Sequence, residues 1–129
     1  MRMLTLLGVL AIAGCLVGQT VDAPVVGTWE GESVCQVPKP CTTEHVIYEI
    51  KASDAGKFTI RADKVVQGQR EWMGDITCSW SDEEKKLTCP TEGRKPGDWV
   101  FWLKGDRILG TLTVREGNVI SRKITVTKK

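Results

Sequence analysis

Histidine and charge of one sign are what this chain has least of. Its 129 residues include one histidine, His45, and 18 Lys and Arg stand against 16 Asp and Glu, a net charge of +2. That balance offers none of the basic excess with which nucleic-acid-binding domains neutralise phosphates, so no nucleic-acid partner is expected. No apolar run reaches the roughly 20 residues that a membrane-spanning helix needs. A Gly-x-Ser-x-Gly elbow, a phosphate-cradling glycine loop and His-Glu-x-x-His are all missing. The acidic run Asp82-Glu83-Glu84 lacks the spacing of a calcium loop. His45 alternates with Val46 and Tyr48 on an extended segment, which turns it to solvent rather than to a task in acid–base chemistry. The chain therefore reads as a non-enzyme without cofactor or metal. With 26% charged residues and 5 Trp it also reads as one folded domain.

What is present in an unexpected number is cysteine, at 5. The first of them ends a distinct N-terminal segment. Arg2 is its sole charge up to Val17, and Leu4 to Val17 is an uncharged, mostly apolar stretch, too short for a permanent anchor but suited to an export signal. The segment Ile12-Ala13-Gly14-Cys15 resembles a bacterial lipobox. In that family the cysteine is acylated and becomes the first residue of the mature chain. The resemblance implies a signal peptide over 1–14, a lipid on Cys15, a tether over 15–24 and a folded domain over 25–129. Leu16, not Asp, follows the cysteine, which in that family goes with the outer membrane and a position facing the periplasm. Ordinary cleavage after Val21-Asp22-Ala23 is the alternative. Either way four cysteines remain in an oxidising compartment, an even set.

From Val25 onward the pattern is all-β. Alternation of period two, enriched in β-branched and aromatic residues, recurs in short runs broken by Gly, Asp, Asn and Pro. Strands are expected over 25–34, 44–52, 57–66, 71–80, 86–90, 98–104, 107–115 and 119–127. The links at 53–56, 82–85, 105–106 and 116–118 are of hairpin length. Eight sequential antiparallel strands in so short a domain close most economically into an up-and-down barrel, which leaves no free edges.

The cysteines fit this register. If Trp80 lies across from Leu87, the same register sets Cys78 across from Cys89, at a separation a disulfide can bridge. Cys35 and Cys41 would close a five-residue loop stiffened by Pro38 and Pro40. A four-cysteine zinc site would call for close C-x2-C pairs, which are missing.

At the start of the first strand, Gly27-Thr28-Trp29 is similar to the G-x-W motif of the lipocalin and calycin superfamily. The resemblance implies an eight-stranded barrel in which Trp29 closes one end and packs against an arginine of the last strand. Arg122 is the candidate: it shares strand parity with Ile120, Ile124 and Val126 and so points inward, where a lone charge needs a partner. The resemblance also implies a binding role, with a small apolar molecule or lipid as ligand.

Strand parity turns Trp29, Tyr48, Phe58, Trp72, Trp80, Trp99 and Phe101 inward, enough aromatic volume to fill a barrel that otherwise has room for one small ligand. The longer connections gather at the end away from the tether, a mouth that carries Lys39, Arg70, Glu92, Arg94 and Lys95 and would face away from the membrane. Trp102 and Leu109 fall on the outer face, opposite each other, and form a candidate patch for a protein partner. A protein-interaction module is thus the alternative function. Small exported barrels with disulfides resemble the bacterial periplasmic inhibitors of proteases and lysozyme, although no inhibitor motif is present.

Overall fold

The computed structural model describes residues 23–129. Cys15, the expected signal peptide over 1–14 and most of the expected tether over 15–24 lie outside the described residues. Eight strands follow one another: β1 (Gly27–Cys35), β2 (Glu44–Ala52), β3 (Lys57–Val66), β4 (Gln69–Ser81), β5 (Lys86–Thr91), β6 (Gly97–Lys104), β7 (Arg107–Val114) and β8 (Val119–Lys128). Each pairs antiparallel with the next and β8 returns to β1, so the sheet closes as an up-and-down barrel. This is the architecture that the alternation and the short links imply.

The direction of β1 defines the two ends. The lower end holds Gly27 and the turns after β2, β4 and β6, while the mouth holds the connections 36–43, 67–68, 92–96 and 115–118. Large side chains fill the lower half: Trp29, Ile50, Ile60, Leu87, Ile108 and Val126 are all buried there. Close approach of two strands tightens the wall at Gly31, where an added Cβ would sit 2.0 Å from the Thr125 carbonyl oxygen. That contact is with backbone, which cannot swing aside. Gly31→Ala is therefore expected to lower stability by about 1–3 kcal/mol or more, measured as a shift in the denaturant midpoint.

Both cysteine pairs, Cys35–Cys41 and Cys78–Cys89, are bridged. Trp80 lies opposite Leu87, and Cys78–Cys89 stands two steps further up the same register. Pairing between β4 and β5 stops at Ser79–Thr88, so the disulfide holds the two strands together where their ladder has ended. Above it, residues 69–77 of β4 pair with β3 alone. Arg70, Glu71 and Asp75 put charge on this open edge, the usual protection against pairing with a stray strand.

Two irregularities near the mouth reverse the parity of single strands. The β3–β4 register shifts between Ala62 and Asp63, and the β7–β8 register shifts between Leu112 and Thr113. An extra residue in one strand sends every later side chain to the opposite face. Trp72 is accordingly on the outside, 63% exposed, with its indole N–H donating to Asp75. This corrects the inward placement that unbroken alternation assigns to it. Ile120 is likewise exposed, whereas Arg122, on the near side of its shift, keeps the inward direction.

Candidate functional site

Small side chains occupy inward positions of the upper half. Ser33, Ala62 and Gly74 line one wall, with Ala62 directly opposite Gly74. The barrel is wide enough that three such positions leave space unfilled. A cavity of about 200 Å³ results, lined also by Glu44, Val46, Tyr48, Met73, Ile76, Trp99, Phe101 and Arg122. The Trp99 and Phe101 rings are near parallel, 8° apart in plane with centroids 5.9 Å apart, and Tyr48 meets Phe101 edge-on. The interior is thus aromatic without being full.

The polar groups of the cavity form one cluster. The Arg122 guanidinium contacts Glu44 Oε1 at 2.8 Å through Nη2, and through Nη1 donates to the Ser33 carbonyl at 3.3 Å and to Ser33 Oγ at 3.2 Å. Glu44 and Arg122 are only 20% and 16% exposed, so each charge depends on the other for compensation. Burial pushes the Tyr48 phenol well above the usual range, with the Glu44 charge adding to the rise and Arg122 opposing it. The phenol therefore stays protonated and adds no charge to the cluster.

Above the cavity lies a wider vestibule of about 580 Å³, lined by Val37 and Cys41 of the first mouth loop, by Lys95, and by Leu112, Val114 and Val119. Trp99 lines both spaces. The Cys35–Cys41 bridge fixes the loop on one side of the vestibule. On the other, Arg115 holds Glu92 at 3.1 Å and Asp98 at 3.0 Å and donates to the Gly97 carbonyl. Arg115 keeps the Asp98 carboxyl below the ordinary carboxylate range. A lowered carboxylate contributes order above its unfolded pKa and loses it as pH falls through the folded one. Acidification is therefore expected to lower the protection of amides in 92–98, measured relative to their intrinsic exchange rate at each pH, before the rest of the barrel responds, and Arg115→Gln to remove that pH dependence.

Trp29 and Arg122 do not meet, contrary to what the lipocalin resemblance implies. Trp29 is fully buried at the lower end, donating its indole N–H to the Val25 carbonyl at 2.9 Å. In the β1–β8 register its neighbour is Lys128, whose Nζ lies 5.4 Å from the ring centroid and donates to the Val26 carbonyl. Gly27 belongs to the same corner: its φ of 143° is in the range that suits glycine, and a Cβ there would come within 3.0 Å of the Lys128 chain. Arg122 sits across from Cys35 at the mouth, six residues up the strand, roughly 20 Å away. The cation over the tryptophan is therefore Lys128, and Arg122 serves the cavity.

Trp102 and Leu109 do face each other across β6 and β7, half-buried. The more exposed apolar side chain is Trp72. His45 lies on the outer face, paired with Glu30. Glu44, Ser33 and the vacant wall were not singled out by sequence reasoning. Glu44 shares parity with Val46 and Tyr48, which could have marked it as the partner that inward Arg122 requires. Ser33, Ala62 and Gly74 are small residues at inward positions, the signal of unfilled space.

Comparison with protein-family models and with curated proteins finds no match. Among solved structures, a point mutant of the fluorescent protein UnaG is similar, with a TM-score of 0.54 and 15% sequence identity over 81% of this chain and 96% of that one. The likeness is one of fold. It covers nearly all of the described residues, so the barrel as a whole, not one hairpin of it, is what the two share.

Proposed function

We propose that the protein is a non-catalytic, binding-type barrel, exported and held at the bacterial cell envelope, on the outer membrane facing the periplasm, by a lipid on Cys15, and that it takes up one small, mostly apolar molecule in its upper half. The observation that carries this reading is the cavity of about 200 Å³, apolar and aromatic over most of its wall, with one compensated polar cluster. Pockets with a few convergent polar groups in apolar surroundings are the ordinary form of small-molecule sites. An engineered cavity of about 150 Å³ accepts benzene, so the volume suits a one- or two-ring compound with a short polar group. Chain direction supports the orientation: β1 starts at the lower end, so a tether would leave from there and the mouth would face away from the membrane.

Native mass spectrometry of protein purified without denaturation, followed by solvent extraction, tests the reading. A small-molecule adduct is expected, released together with a change in tryptophan emission. Trp99→Leu should weaken binding of an aromatic ligand by about three- to tenfold, the worth of one good aromatic contact. No adduct, together with no thermal shift from any member of a small-aromatic library, would sink it. For the anchor, acyl labelling should be lost in Cys15→Ser; unchanged labelling refutes the lipid.

A further inference from the structure

The polar end of the cavity carries one guanidinium and one carboxylate, and each neutralises the other. We infer that the cavity selects an uncharged ligand whose polar head both donates and accepts a hydrogen bond, as a primary amide or a lactam edge does, carried on a planar aromatic body. This rests on the reading of the cavity as a ligand site and narrows it.

A carboxylate head entering the cavity would have to share Arg122 with Glu44, which places two anions beside one cation among Val46, Ile76, Trp99 and Phe101. An ammonium head would have to share Glu44 with Arg122. Either leaves an uncompensated charge in apolar surroundings, where it is costly. An amide leaves the ion pair intact. Arg122 engages Oε1 of Glu44, so Oε2 is left to accept from the amide N–H. The guanidinium has five N–H donors, and its contacts with Glu44 and Ser33 account for three, so the amide carbonyl can accept from another. Behind the head, the near-parallel rings of Trp99 and Phe101 present flat apolar surface on which a planar ring packs with more than its area's worth of attraction.

Titration calorimetry of the intact protein with three probes of matched shape, naphthylacetamide, naphthylacetate and naphthylethylamine, tests this. The amide is expected to bind at least about tenfold more tightly than either charged probe. In Glu44→Gln the competing anion is gone, and the preference for amide over acetate should shrink by about tenfold or reverse. Acetate or amine binding as tightly as the amide to the unaltered protein would overturn the inference while leaving the cavity reading in place. Binding by none of the three would overturn the cavity reading and this inference with it. The comparison on the unaltered protein decides the matter even if the variant folds poorly.

Discussion

Trp29→Ala is expected to lower stability by about 3–5 kcal/mol, the upper range for large-to-small changes in a core. Three losses coincide. The indole is wholly buried, so its removal opens a void in the lower half, where Ile50, Ile60, Leu87 and Val126 are fixed by strands that cannot close in. The Val25 carbonyl loses the donor that held the chain entering β1. Lys128 loses the ring beneath its ammonium, a contact worth about 0.5–2 kcal/mol in general. Equilibrium unfolding in guanidinium chloride, with disulfides intact, measures the total. Trp29→Phe should recover part of the packing and none of the hydrogen bond, and Lys128→Met should cost no more than about 1–2 kcal/mol. If Trp29→Ala cost as little as Lys128→Met, the view of Trp29 as the plug of the lower end would be untenable. Trp99→Ala provides the contrast. That side chain is half-buried and borders the cavity and the vestibule, so its loss enlarges spaces already present and should cost clearly less stability than Trp29→Ala.

The barrel was legible because alternation of period two is a strong signal when short links separate each run from the next. Even the Cys78–Cys89 bridge followed, since one cross-strand pair fixes a register and the register fixes the rest. Trp72 and Ile120 escaped because a bulge is invisible to a rule of strict alternation. Gly74, beside the first irregularity, takes a φ of 148°, and a glycine inside a strand is the local sign that a bulge could stand there. The Trp29 partner escaped for another reason. A resemblance can say that a cation belongs beside the tryptophan, but which cation arrives depends on the β1–β8 register, and that register carries Lys128 there. Seven inward aromatics argued for a filled interior. The structure turns one of them outward, sets Trp29, Phe58 and Trp80 toward the lower end and leaves Tyr48, Trp99 and Phe101 around the cavity, so the space appears where the inward residues beside them are small. Counting large side chains without counting small ones hid the site.

The ion pair at the mouth gives the second large expected effect, and its size depends on whether one partner is removed alone or both together. Arg122→Met should lower stability by about 2–4 kcal/mol, because it strands the Glu44 carboxylate in a wall that is only 20% exposed there. Glu44→Leu should cost a similar amount, eased by the two Ser33 contacts that still hold the guanidinium. The double replacement, Glu44→Leu with Arg122→Met, should cost far less than the sum, since neither charge is then left behind and two apolar groups of comparable volume take their place. The coupling read from this cycle by denaturant unfolding is expected to exceed about 1 kcal/mol. Additivity within about 0.5 kcal/mol would mean that solvent at the mouth already screens both groups, and the cavity would then have no compensated polar end on which to select a ligand. The same double variant separates stability from recognition. It should fold nearly as well as the unaltered protein yet, on the reading proposed above, hold an aromatic amide no better than a plain hydrocarbon of equal size, since the donors and acceptors assigned to the ligand head would be gone while the barrel loses little net energy.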